Sequence, residues 1–134
     1  NGILDYALAS KGAKAKAQEG EEFLIDGKTD HSGNDGFAWG SSPTDFVISL
    51  PKVTKIQEIN FLLHNEDKSR EYLYQLFVMR DDESEWEMVA DHGKKPSKGW
   101  QKHKFPPVKL KNIKITGLFN SANKNFHIVE VEAR

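Results

Sequence analysis

Residues 46–63 read FVISLPKVTKIQEINFLL, and this stretch decides the fold. In Asp45–Leu50, the apolar residues Phe46, Ile48 and Leu50 alternate with Val47 and Ser49. That is the period-two pattern of a strand with one buried face. Pro51 has no amide proton to give a sheet ladder, and it reads as the end of this run. Lys55–His64 resumes the alternation, with Ile59, Phe61 and Leu63 on one face. Working outward, residues 65–71 (NEDKSRE) form a polar connection. Tyr72–Arg80 is rich in aromatic and branched residues. Residues 81–85 (DDESE) make a turn before a short strand at Trp86–Ala90, and residues 92–99 (HGKKPSKG) make another. Strands follow at Trp100–Phe105, at Val108–Leu118 beyond the Pro106–Pro107 break, and at Phe126–Ala133 after a polar loop. Seven or eight strands spaced roughly 8–12 residues apart, with little helix, predict an all-β antiparallel sandwich or jelly roll.

Upstream of this core, residues 9–22 (ASKGAKAKAQEGEE) are small and polar and read as an extended segment and loop. Residues 23–45 are dense in Gly, Asp, Ser and Thr, interrupted by FLI and FAW. A loop of this length inside a compact domain is commonly functional. The whole chain has 134 residues, 14 of them aromatic, which is enough for one domain with its own core. No segment approaches the roughly 20 apolar residues of a membrane span. The opening NGILDYALAS lacks the layout of a signal peptide. Cysteine is absent, so disulfides, thiol nucleophiles and thiolate metal sites are excluded. The formal net charge of −1 speaks against a general nucleic-acid binder and against an anionic membrane as partner.

The five histidines, at 31, 64, 92, 103 and 127, stand at no metalloprotease spacing, and no GxSxG or phosphate-binding glycine loop occurs. A non-enzyme is expected. Asp26 and Asp30 lie in an oxygen-rich glycine loop that suits either calcium or a metal-free Asx-turn. Trp39, beside Gly40 and two serines, reads either as a sugar-stacking platform or as a lid on the core. Trp86 and Trp100 read as core.

Several stretches together resemble the discoidin, or coagulation factor V/VIII type C, family, whose fold is shared with carbohydrate-binding module family 32 and other galactose-binding-like domains. They are LIDG (24–27), residues 46–63, SREYLYQLFVMRDDESEWEMVAD (69–91), GWQKHKF (99–105) and IKITGLFNSANKNFHIVEVEA (113–133). The match runs from about Phe23 to Arg134. WEMVAD and residues 119–133 look most like the discoidin-type domains of BTB adaptor proteins.

The resemblance implies a single galactose-binding-like jelly roll with both termini at one end. It also implies a structural calcium held by the side chains of Asp26 and Glu130 and by the carbonyls of Phe23, Lys28 and Val129. The loop DGKTDHSGNDGFAW (26–39) departs from the family's Asp-Gly-x-x-x-Thr-x-Trp by about six residues, and Lys28 stands where Asp or Asn is usual. Lys28 could instead replace the ion by pairing with Asp26 or Glu130. By position, the candidate ligand residues are His31, Trp39, His64, Asn65, Lys68, Asn120 and Asn123, with Phe126 or Asn123 near the family's last-loop aromatic. Gly40 stands where sugar-binding relatives carry a histidine, so the galactose-type set is not reproduced.

The expected function is a non-catalytic glycan-binding module, monomeric within a larger extracellular or cell-surface protein. The alternative is a protein-interaction module, intracellular in the adaptor branch, that presents Phe37, Leu118 and Phe119 to a partner protein.

Overall fold

The computed structural model describes residues 4–30, 36–64 and 70–134. Seven strands occur among them: β1 (Lys14–Lys16), β2 (Ala38–Ser41), β3 (Thr44–Leu63), β4 (Tyr72–Met79), β5 (Glu87–Ser97), β6 (Trp100–Asn120) and β7 (Asn125–Ala133). Short 3-10 turns sit at Ala9–Lys11 and Glu21–Ile25. All strand pairings are antiparallel, in the order β2-β7-β3-β6-β4-β5, with β1 on β3.

Two strands are far longer than the sequence pattern suggests. β3 does not end at Pro51, and β6 does not break at Pro106–Pro107. Both run on, but their shared ladder slips between Ser49 and Thr54 and between Ile56 and Glu58. The prolines fall at these irregular corners, where a missing amide proton costs least.

The first half of β3 and the second half of β6 lie with β1, β4 and β5. The opposite halves lie with β7 and β2. Rings meet between the layers. Phe126 lies 5.8 Å from Phe46 and 4.8 Å from Tyr72, and Phe61 meets Tyr74 edge-on at 4.8 Å. Phe46, Ile48, Leu50, Ile59, Phe61 and Leu63 are buried, as their alternation predicts. Gly117 is required by this packing, because a Cβ there would sit 2.3 Å from the Phe126 ring.

Trp86 and Trp100 are corrections. Trp86 is half-exposed and lies over the Lys114 ammonium at 4.6 Å, while Trp100 is 40% exposed. The two ends of the described chain meet: the Tyr6 amide donates to the Ala133 carbonyl at 2.8 Å, and Asp5 accepts from the Ala133 amide at 3.0 Å.

Candidate functional site

Away from those ends, the β2–β3 and β6–β7 connections and the approach to β4 converge. The Ser42 amide donates to the Lys124 carbonyl, and the amide and hydroxyl of Ser121 tie the β6–β7 turn to Glu71. Asn120 builds that turn. Its Nδ2 donates to Asn123 Oδ1 and the Asn125 carbonyl, and its Oδ1 accepts from the Ala122 amide. Only 2% exposed, Asn120 is scaffold and not an open ligand group. Asn123 is exposed; its Oδ1 also takes the Asn125 amide, which leaves its Nδ2 facing outward.

The turn borders a depression of about 410 Å³ lined by Ser42, Leu118, Phe119, Asn123 and Lys124 among others. Phe119 is 49% exposed, and the Ser42 hydroxyl is buried without a hydrogen-bond partner. Phe126, by contrast, is wholly buried, so the exposed aromatic of this end is Phe119.

His64 and His127 are buried together with Phe37. Phe37 stacks on His64 at 4.5 Å and meets His127 edge-on at 5.2 Å. Phe37 is therefore core, not part of an exposed apolar patch. The Tyr72 hydroxyl donates to the His64 carbonyl at 2.7 Å and contacts His127 Nδ1 at 3.1 Å. A carbonyl can only accept, so the phenolic proton goes there and His127 Nδ1–H donates to the phenol oxygen. Burial, then the nearby His64 and Arg70, holds the His127 pKa down at about 4. The imidazole is neutral and structural at neutral pH.

Trp39 is half-buried. Its backbone is bonded on both sides, to Glu19 and, by strand pairing, to His127. Gly40 admits no side chain, because a Cβ there would lie 2.5 Å from Thr44 Oγ1. His31, Asn65 and Lys68 lie outside the described residues.

A second cluster lies on the outer side of β7. The β3–β7 ladder pairs Leu62 with Glu130 and Leu63 with Ile128, so Val129 is the extra residue of a bulge. The β2 ladder stops at Ile128, and the Glu21–Ile25 turn packs beyond it. Glu130 is 1% exposed. Its Oε2 accepts from the Gly27 amide at 3.0 Å, while Oε1 is buried with no partner. The Asp26 carboxylate beside it can share a hydrogen bond with Glu130 only through a proton. Burial first, then Asp26, pushes the Glu130 pKa up to about 10.

Asp26 and Lys28 are exposed, and Phe23 is half-buried. The Lys28 backbone amide donates to Asp26 Oδ1 at 2.9 Å. Among the described residues, the Lys28 ammonium forms no ion pair with either carboxylate, so the substitution of lysine for the ion is not what the geometry adopts. Among those same residues, no three His, Asp or Glu side chains gather as metal ligands. A cation here would rest on two carboxylates and backbone carbonyls. The orphaned buried oxygen of Glu130 and the bulged Val129 fit such a hard, oxygen-liganded ion.

Two layers joined by corner-turning strands, with a loop cluster at one end and the termini at the other, define a galactose-binding-like β-sandwich. The F5/8 type C domain model matches residues 9–131, and the chain belongs to that family. The match begins earlier than the stretches that carried the resemblance, and takes in β1.

BTB/POZ domain-containing protein 9 of Homo sapiens is 36% identical over 133 residues, covering 96% of this chain and 21% of the relative. The protein of the same name from Drosophila melanogaster is 31% identical over 93 residues, covering 69% of this chain and 13% of the relative. The chain thus spans about a fifth or less of these relatives' length. Among solved structures, the CBM32 of AlyQ in complex with 4,5-unsaturated mannuronic acid superposes with a TM-score of 0.74 at 19% identity, covering 98% of both chains. Chitosan-binding module 1 of a Paenibacillus sp. IK-5 chitosanase/glucanase gives 0.76 at 15%, covering 98% of this chain and 99% of that one. These structural neighbours are carbohydrate-binding modules.

Proposed function

We propose that this domain is a non-catalytic glycan-binding module that takes its ligand at the loop end. The observation that carries the reading is the depression lined by the exposed Phe119 ring and the exposed Asn123 side chain. An aromatic face can cover the C–H face of a sugar while neighbouring polar groups bind its hydroxyls. Among the family-derived candidates that are described residues, Asn123 and the half-buried Trp39 are the ones with an accessible edge. The test is a glycan panel followed by isothermal titration. Phe119→Ala should weaken the best ligand at least fivefold with an unchanged melting temperature. Silence across plant, algal and animal glycans would refute the reading.

The 36% identity to BTB/POZ domain-containing protein 9 favours a second reading, in which the same end docks a partner protein. Leu118 and Phe119 would then be the contact, in place of the buried Phe37. A silent glycan panel, together with loss of a defined partner of the full-length protein in the Phe119→Ala variant, would select it.

We further propose that calcium binds between Asp26 and Glu130, with carbonyls of Phe23, Lys28 and Val129 completing the shell. The ion would supply the positive charge that the buried Glu130 carboxylate and the exposed Asp26 beside it lack. Support comes from the buried, unpartnered Glu130 oxygen and the bulge at Val129. Melting with and without chelator tests it, because an ion that binds only the folded chain stabilises it by mass action.

A further inference from the structure

Charge is unevenly spread along this nearly neutral chain. Residues 92–129 hold nine lysines and no Asp or Glu, which leaves the rest of the sequence at −10. Two of these lysines are engaged: Lys111 pairs with Asp82, and Lys114 lies between the Phe77 and Trp86 rings. Among the described residues, Lys94, Lys95, Lys98, Lys102 and Lys104 form no ion pair, and all five are exposed.

The first half of β6 organises part of this charge. Gln101, His103 and Phe105 point inward, so Trp100, Lys102 and Lys104 stand in a row on the outer face, all exposed. At strand spacing the row spans about 13 Å. Its neighbours across the ladder are Leu62 beside Trp100, Asn60 beside Lys102 and Glu58 beside Lys104. Glu58 is the only acid of the three, and it is already held by Asn60 Nδ2 at 3.1 Å and Arg134 at 3.6 Å. Lys98 extends the cationic side past Gly99, where the backbone has open space around it.

We propose that this outer face of β6 is a second binding surface, for an acidic polysaccharide, on which Trp100 stacks against a sugar ring while Lys102 and Lys104 pair with the chain's carboxylates or sulfates. An exposed indole in phase with two unpaired ammonium groups complements a ligand that alternates apolar ring faces with negative charge. A nucleic-acid strand fits less well, because stacking of successive bases needs more than one aromatic platform. Lysines on an edge strand also discourage edge-to-edge pairing, but that role does not call for an exposed tryptophan beside them.

The experiment titrates the whole domain with soluble polygalacturonate at 50 and 300 mM salt, with a neutral galactan as control. The expected result is saturable binding that weakens with salt and is at least tenfold weaker in both Trp100→Ala and the Lys102→Gln/Lys104→Gln double variant. Phe119→Ala should leave this binding unchanged, so loss of the loop-end reading and loss of this one are separable. Circular dichroism and melting show whether each variant remains folded, and Trp100→Phe, which keeps a ring, should restore most of the affinity. Four results would overturn the proposal: no saturable binding, equal binding of neutral galactan, a loss in the double variant no larger than in a Lys52→Gln control, or tighter binding of a single-stranded DNA oligonucleotide.

Discussion

Replacing Glu130 by glutamine tests the cation cluster from two sides. A carboxyl that titrates near 4.5 in the unfolded chain and near 10 in the folded one must take up a proton on folding at neutral pH. The cost is about 1.4 kcal/mol for each pH step above 4.5, hence about 3 kcal/mol at pH 7. The sign follows from the raised pKa of an acid. The folded state binds the proton more tightly, so stability is greatest below pH 4.5 and declines as pH rises toward 10. A glutamine carries no charge at any pH. Its oxygen can keep the Gly27 amide, and its NH2 can face Asp26. In chelator, Glu130→Gln should therefore match the native chain near pH 4.5 and exceed it by about 3 kcal/mol at pH 7, or about 10 °C for a chain of this size.

With calcium at a thousandfold excess over its apparent Kd at pH 7 the order should invert. The native chain then gains about 4.1 kcal/mol, a figure that already contains the loss of the Glu130 proton. The amide variant gains little. Urea unfolding at pH 4.5, 6 and 7.5, with chelator and with calcium, reads both effects. Parallel pH curves for the two chains in chelator would refute the buried-carboxyl reasoning. An equal calcium response in both would remove Glu130 from the ligand set.

Asp26→Ala should abolish the calcium-dependent rise in melting temperature while leaving glycan titrations at saturating ligand measurable. Gly117→Ala drives a methyl group into the Phe126 ring, and should cost about 1–3 kcal/mol or more in chemical denaturation. His127 and His103 are both held near pKa 4, chiefly by burial. The unfolded chain takes up their protons first, so the stability they contribute is complete above pH 6.5 and is lost as pH falls to 4, about 3 kcal/mol for each. His127→Gln should flatten the acid limb of a stability–pH curve, and an unchanged limb would refute this assignment. Tyr72→Phe leaves the His64 carbonyl and the His127 N–H without their shared hydroxyl, and should cost about 1–3 kcal/mol by urea titration.

The sandwich was legible because its buried faces alternate. Phe46, Ile48 and Leu50 point inward as their spacing requires, and so do Ile59, Phe61 and Leu63. Pro51 and Pro106–Pro107 misled because a proline ends a straight strand yet is welcome at a corner where the ladder has already slipped. Trp100 reads as core because it begins a strand. Its phase with Lys102 and Lys104, and out of phase with Gln101, was the available signal that it faces outward.

The polar site residues were harder to read. Asn120 and His64 are candidate ligand residues through the resemblance, and a turn and an aromatic box consume them. No local pattern separates a side chain that bonds its own loop from one that offers itself to a ligand. Glu130 has the outward parity of Glu132. Its burial comes from the distant Glu21–Ile25 turn, and only the family resemblance pointed to its partnership with Asp26.

β7 is the element that makes the two clusters one system. Its His127 closes the aromatic box around Phe37, and its bulge and Glu130 begin two residues further on. The long first loop is anchored at both ends of that short stretch: Gly27 by its hydrogen bond to Glu130, and Phe37 by its rings against His64 and His127. Between these anchors the loop is free to lengthen without disturbing either, since loop-closure entropy grows only slowly with length. That explains why an insertion in this loop coexists with an intact sandwich.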